Sequence, residues 1–501
     1  MKRRTVWRKL REKAKPDKLN REQFPAYSRT IEEDVLSVLM TGSTANLFYV
    51  NAEENLTEML SVLRKCKDTE FLAKATIYAR EQGFTRTLPI ASLVEISRRD
   101  PSMFKKIAAR ICKNPHDWQQ FIDICRSQQI RKGLGRALKE EIIRAIAEME
   151  EYHAMKYPRA VEDMINIAHP HESVNPRVIR YIKKKEHEGE QLRYLKIVKT
   201  SENEEEIIEA INSGALPYEV VTGSVRKMTP RIWEALLYQA PYFNLIRNLN
   251  NFGRNGVFNN PDNLEYAVRR ITDDNAIRHS KLFPFRFFIA YRMLKGFRGS
   301  DRLKHALALA LEKSVANVPA LEGKVAIASD VSGSMSSNLT GDYSVVQCCD
   351  VVGIFTACLI KKCRELPIVL PFDEEVREDI AAKIYEKDTI MKIASCFGAW
   401  GGTSLSAPVE WLIRKRERVD YFIAFTDNEE WRGRPFIEAW TDYKEIAPEC
   451  VAYLVTLLPY RDYPVPEMED VYFIFGWSDA VLRYITTDPR KQIEEVNKIS
   501  L

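Results

Sequence analysis

Residues 321–501 contain no histidine; all seven lie at positions 116, 153, 169, 171, 187, 279 and 305. That absence takes away the usual base for a serine nucleophile and the nitrogen ligand zinc prefers. The chain also lacks a G-x-S-x-G elbow, a G-x-x-x-x-G-K-[ST] phosphate loop and any C-x-x-C pair. The G-L-G-R at 133–136 follows no strand pattern, so it makes a poor dinucleotide fingerprint. The nine cysteines, an odd number with Cys348 and Cys349 adjacent, read as reduced thiols filling a core. Long apolar runs are missing too. The longest near a helix, VVGIFTACLI at 351–360, is half a bilayer span. The opening MKRRTVWRKLREKAK is basic but carries no apolar stretch or cleavage site, so it does not read as a secretory signal. The expectation is a cytoplasmic protein without a membrane partner.

What is present is an ordinary globular composition, 45% hydrophobic and 29% charged, in a chain of 501 residues, long enough for two or more domains. The net charge of +5 hides an asymmetry. Residues 321–501 hold 20 Lys+Arg against 30 Asp+Glu, a net of −10, which leaves +15 on residues 1–320. A basic region joined to an acidic one suits a polyanion partner, although solvated helix faces alone would give the same count.

Two hydrophobic periods divide the chain. Up to about residue 315, apolar residues recur at three-to-four spacing: IEEDVLSVLM, LTEMLSVLRKC, EFLAKATIYAREQ, SMFKKIAARIC, DWQQFIDICRS and GRALKEEIIRAIAEMEEY. Pro115, Pro158, Pro176, Pro217, Pro230 and Pro241 punctuate them near helix starts. Stacked helix pairs with a concave surface, or a compact irregular helical domain, both satisfy this pattern. After Pro319 come short β-branched or aromatic runs: GKVAIASD, LPIVLPF, DYFIAFTD, CVAYLVTL and VYFIFG. Helical stretches separate them, the alternation of a doubly wound parallel sheet. Ligands in such sheets sit beyond the carboxyl ends of strands, where Asp330 and Asp427 stand.

IASDVSGSM (327–335) sets Asp330, Ser332 and Ser334 at alternating positions after a strand. Thr403 in WGGTSLS and Asp427 in AFTDNEEW add oxygens from two later loops. Oxygen donors with few carboxylates suit a hard divalent cation such as Mg2+ and leave it electrophilic. A helix-capping polar loop with no metal is the plain alternative. The five residues, in this order, resemble the metal-ion-dependent adhesion site (MIDAS) of von Willebrand factor A domains. In that family the serines and threonine tend to bind the ion directly, and the aspartates often act through water.

The whole chain from about residue 30 resembles the Ro autoantigen family, a TROVE module followed by a von Willebrand factor A domain. GLGRALKEEI (133–142), KYPRAVEDMINIAHP (156–170), RIWEALLYQAPYFNLIRNLNNF (231–252), FPFRFFIAYRML (283–294), FIFGWSDAVLRYI and the metal loops carry the likeness. Residues 1–30 read as a basic N-terminal tail outside the likeness; the resemblance implies a HEAT-like helical-repeat RNA-binding ring (31–318) and an α/β doubly wound domain (319–501). It implies a noncatalytic ribonucleoprotein component whose ring accepts single-stranded 3′ ends of misfolded RNA and whose outer face binds a small Y-type RNA. RNA quality control, a protein monomer and an exoribonuclease or other protein partner at the metal-bearing domain follow by the same route. Lys156, Arg159 and His169 match a Lys, an Arg and a His that contribute to Y RNA binding in the family. Arg136 and Lys139 lie on the matching GRALK helix, with Arg131 and Lys132 just before it. As bare residues these bases form a solvated face, and His169 before Pro170 reads as a loop or capping histidine. Phe283, Phe285, Phe287, Phe288 and Tyr291, at helical spacing, read as core, as do Trp233, Leu236 and Leu237. The rival function is a metal-dependent protein-adhesion scaffold.

Overall fold

The computed structural model describes residues 18–19, 25–26, 30–41, 52–127, 135–213, 216–338, 346–426, 434–457, 470–475, 479–486 and 489–501. It divides into two compact units: Met1–Lys65 with Val315–Glu495, and Cys66–Ser314 with Val496–Leu501. The division at Val315 lies close to the expected boundary at 318, whereas residues 31–65 fall with the α/β unit instead of with the other helices. The Ile31–Thr41 helix lies against strand and helix of the α/β unit, and its Glu33 carboxylate accepts a hydrogen bond from the Tyr472 hydroxyl at 3.4 Å. Helical period alone could not reveal this, because an amphipathic helix does not encode which unit covers its apolar face.

The Cys66–Ser314 unit is helical throughout its described residues, and the helices pack largely on near neighbours in sequence. Local signals place their ends. Asp68 caps Thr69–Glu81 through the Phe71 amide at 3.0 Å, and Asp100 caps Pro101–Ile111 through the amides of Ser102 and Met103. Each such cap is worth about 1 kcal/mol. Pro115, Pro158, Pro176 and Pro230 open helices as their first residues, while Pro217 and Pro241 sit one position before. Proline is tolerated there because the first-turn amides have no intrahelical acceptor.

One expected helix, GRALKEEIIRAIAEMEEY, is two: Arg136–Ala147 and Glu151–Lys156. The Asn175 side-chain amide donates to the carbonyls of Ile146 and Met149 at 2.9 and 3.0 Å, which satisfies backbone acceptors at the break. A polar partner from a later segment ended a helix that periodicity would have continued.

In the other unit, strands β1 (Lys18–Leu19) and β2 (Pro25–Ala26) form a short antiparallel pair. The main sheet comprises β3 (Val325–Asp330), β4 (Ile368–Phe372), β5 (Tyr421–Thr426), β6 (Val451–Thr456) and β7 (Val471–Phe475). They are parallel, in the order β4-β3-β5-β6-β7. All five expected strand segments are therefore strands. Alternate residues serve opposite faces. Ala326, Ala328, Phe422, Ala424, Ala452 and Leu454 pack with Trp440 and Tyr443 of the Phe436–Tyr443 helix. On the opposite face, Phe425 meets Phe355 of the Cys348–Lys362 helix, ring centroids 5.7 Å apart.

That helix contains the 351–360 apolar run, buried in the domain; among the described residues no helix is long and apolar enough to cross a membrane. Its Gly353 is required by close packing: a Cβ there would stand 2.8 Å from the Cα and carbonyl oxygen of Ala394. All nine cysteines are free thiols, seven of them buried.

Candidate metal site and nucleic-acid surface

The strand order reverses between β3 and β5, and a doubly wound sheet opens a crevice beyond the carboxyl ends at such a point. Asp330 ends β3 there and is fully buried. Its Oδ1 accepts the Ser332 amide at 2.8 Å and its Oδ2 accepts the Thr426 hydroxyl, from the end of β5, at 2.7 Å. The Ser332 and Ser334 hydroxyls face each other at 3.1 Å. Ser332 is buried and Ser334 half-buried.

Backbone contacts join the loop after β3 to the loop carrying Thr403. The Trp400 amide donates to the Val331 carbonyl at 2.6 Å, and the Gly333 amide to the Gly401 carbonyl at 3.1 Å. Gly401 has φ +64°, a conformation that favours glycine, and a Cβ there would press on the Asp373 side chain at 3.2 Å. Thr403 is only 3% exposed.

The structure thus brings Asp330, Ser332 and Ser334 onto one turn and ties the Thr403 loop to it. Asp427 lies outside the described residues. No group of three or more His, Cys, Asp or Glu converges on a metal position among the described residues. The donor set is one carboxylate and three hydroxyls, which fits a hard cation that keeps water and does not fit zinc.

Sequence reading missed two supports. Thr426 orients Asp330. Asp373, directly after β4, accepts the Ser404 amide on its carbonyl at 2.8 Å and the Arg377 guanidinium on its carboxylate at 2.9 Å. Arg377 in turn lies 5.6 Å from the Trp400 ring centroid. Asp373 is a carboxylate at a strand end, the same signal that singled out Asp330 and Asp427.

In the helical unit, the Pro158–Ala168 helix packs on both Arg136–Ala147 and Glu151–Lys156. These helices carry Arg136, Lys139, Lys156 and Arg159, so packing groups bases that lie up to 23 positions apart. Arg136 is 93% exposed and paired with Glu140 at 2.7 Å; Lys139 and Arg159 have no ion-pair partner among the described residues. Lys156 lies 5.7 and 5.8 Å from the rings of Tyr152 and Tyr157 and 3.6 Å from Glu219. Burial works against its charge, but Tyr152 and Glu219 outweigh that and raise its pKa above the ordinary lysine value. It remains a cation at neutral pH.

His169 is exposed and caps the Pro158–Ala168 helix in the left-handed conformation, φ 51°. Its backbone therefore has the capping role, and the ring is left at the surface. Arg131 and Lys132 lie outside the described residues. Phe283, Phe285, Phe287, Phe288, Leu236 and Leu237 are buried as core, whereas Tyr291 and Trp233 are half-buried.

Comparison with known proteins joins the two halves. Residues 324–455 match the model of the Ro60 vWA domain, and residues 221–306 match that of the TROVE domain. The chain thus has segments similar to both modules of the Ro family. Two curated relatives are named RNA-binding protein RO60. The Deinococcus radiodurans protein is 26% identical over 306 residues, covering 56% of this chain and 54% of that one. The Caenorhabditis elegans protein is 26% identical over 304 residues, 58% of this chain and 46% of that one. The matched part spans about half the length of these Ro-type relatives. The crystal structure of the Deinococcus radiodurans RO (RSR) protein superposes with a TM-score of 0.74 over 92% of this chain and 100% of that chain, at 18% identity. That likeness establishes the Ro-type fold: a helical region followed by a parallel α/β vWA domain.

Proposed function

We propose that the protein is a noncatalytic RNA-binding protein of the Ro type. The observation that carries this reading is the pairing, in one chain, of a TROVE match with a Ro60 vWA match, the curated relatives being named for RNA binding. The charge split supports it: +15 on residues 1–320 suits phosphate, and the exposed Arg136 and Arg159 offer it contacts. In this reading the helical region binds a small Y-like RNA on one surface and single-stranded 3′ ends of misfolded RNA on another, in the service of cytoplasmic RNA quality control. The protein acts as a monomer and can present RNA to an exoribonuclease.

The Asp330, Ser332, Ser334, Thr403 and Asp427 set holds a divalent cation, Mg2+ by donor chemistry. Such an ion would supply an electrophilic position for a carboxylate or phosphate of a partner. The chain's own contribution is to orient the donors: Thr426 fixes the Asp330 carboxylate, and the Gly401 turn presents Thr403.

Gel shifts on an RNA duplex with a single-stranded 3′ tail test the reading. The expected result is binding at low salt that weakens steeply as salt rises. No binding at low salt, together with magnesium-dependent capture of a protein ligand, would replace it by the adhesion-scaffold reading, which the buried hydroxyl donors alone would equally support.

A further inference from the structure

Thr403 lies on no strand or helix, yet the residues on both sides of it are fastened by one short segment that follows β4. Three positions before it, the Trp400 ring lies with its centroid 5.6 Å from the Arg377 guanidinium, while the Trp400 amide donates to the Val331 carbonyl at 2.6 Å. One position after it, the Ser404 amide donates to the Asp373 carbonyl at 2.8 Å. Between these anchors Gly401 passes the Asp373 carboxylate so closely that a Cβ would stand 3.2 Å from its Oδ2. The stretch 400–404 is thus pinned at both ends and along its middle.

The fastening segment is itself held. Asp373 Oδ1 accepts the Glu375 amide at 3.2 Å, and the Asp373 amide donates back to the Glu375 carbonyl at 3.1 Å. The Arg377 amide returns to the Pro371 carbonyl, in β4, at 2.7 Å. Arg377 Nη1 binds Asp373 Oδ2 at 2.9 Å, while its Nε and Nη2 take both oxygens of Asp379 at 2.9 and 3.1 Å. A guanidinium can be forked between two carboxylates and still lie over an indole; an ammonium has no such plane. Asp373 is 8% exposed, whereas Trp400 is 44% exposed. The buried carboxylate ends a strand next to the cation loops, yet Arg377 already answers its charge.

We infer that Asp373, Arg377 and Trp400 form a latch that positions Thr403 for the cation, Asp373 acting through the loop and not as a ligand. Resting on the proposed cation site, the latch adds to it the residues that set its affinity. A donor on a loop contributes fully only when its neighbours hold it to within about 0.5 Å of the bonding position. Partners behind the ligands accordingly change metal affinity by about 10- to 100-fold when removed. The two roles open to Asp373 predict opposite signs. As a ligand it would be held back by Arg377, and loss of the arginine would free the carboxylate and tighten binding. As part of a latch it needs Arg377, and the same loss slackens the loop and weakens binding.

The test is titration of the full chain with Mn2+, followed by electron paramagnetic resonance, and displacement of the Mn2+ by Mg2+. Arg377→Gln should weaken both ions about tenfold. The metal-free thermal midpoint should move by about 3 °C or less, because a partly exposed ion pair adds little to folding. Arg377→Lys returns the charge without the fork and should recover only part of the affinity. Trp400→Ala, at an exposed position, should cost about threefold, the share of one surface cation–π contact. Tighter Mn2+ binding by Arg377→Gln would overturn the latch and make Asp373 a ligand. Unchanged affinity, or a loss seen only alongside a large fall in the metal-free midpoint, would overturn it as well. Failure of the wild-type chain to bind either ion would instead overturn the proposed cation site itself.

Discussion

The α/β unit buries its polar chemistry and the helical unit displays its own. At the strand ends, Asp330, Ser332 and Thr403 are each at most 3% exposed, and their donors converge through loops that touch backbone to backbone. In the helical unit, Arg136, Arg159, Arg86 and Lys281 reach outward from helix surfaces and turns. The contrast matches what the two proposed partners would demand. A small hard cation needs oxygens gathered in a tight, mostly dry cage; a polynucleotide needs a long solvated row of charge and flat rings. Parallel strands end together on one sheet edge and so bring loops to one point, whereas packed helices spread side chains over an area.

The largest expected effect breaks the helical side of this comparison. Asp117 is wholly buried and holds Arg80, Arg86, the Lys113 amide and the Asn114 side chain. Asp117→Ala leaves two guanidiniums uncompensated and is expected to cost about 3–5 kcal/mol in denaturant unfolding. A loss under 1 kcal/mol would mean that surface solvation, not the carboxylate, holds these arginines.

The next sharpens the α/β side. Thr403→Val keeps the volume and removes the hydroxyl. It is expected to abolish the rise in thermal midpoint that magnesium gives the wild-type chain, an effect of about 1–3 kcal/mol near saturation, and to leave RNA affinity unchanged. A magnesium response equal to wild type would remove Thr403 from the ligand set.

The smallest effect uses histidine, absent from residues 321–501. Burial of His187, with Lys199 and Lys196 nearby, lowers its pKa below the ordinary histidine value. Protonation is therefore harder in the folded chain than in the unfolded one. Above the unfolded pKa both states are neutral and nothing changes; as pH falls through that value toward the folded one, the folded state loses stability. His187→Gln should flatten that loss in a pH series of unfolding midpoints, by about 1 kcal/mol or less. An unchanged slope would show that acid sensitivity arises elsewhere.

Several elements are legible in the sequence. Periods of two and of three to four separated sheet from helices because burial on one face imposes them locally. D-x-S-x-S lies within five residues, so a strand end followed by a turn was enough to group Asp330, Ser332 and Ser334. Lys156 and Arg159 flank the start of the Pro158–Ala168 helix and His169 caps its far end, so nearness in sequence did not by itself group the three side chains. The break at Glu148–Glu150 was not legible, since the Asn175 amide that satisfies its carbonyls comes from a later helix. Nor was the alliance of the Ile31–Thr41 helix with the α/β unit.

Composition, periodicity and short motifs by themselves determined the two architectures, their order along the chain, the charge split and the oxygen-rich turn after β3. These depend on neighbours within a few residues or on sums over many. Tertiary structure alone decided that Thr426 orients Asp330, that Gly401 must pass Asp373, and that Phe84 meets Lys281 while His116 meets Tyr157. Such contacts join residues 28 to 197 positions apart, and no local pattern encodes a meeting that only packing brings about.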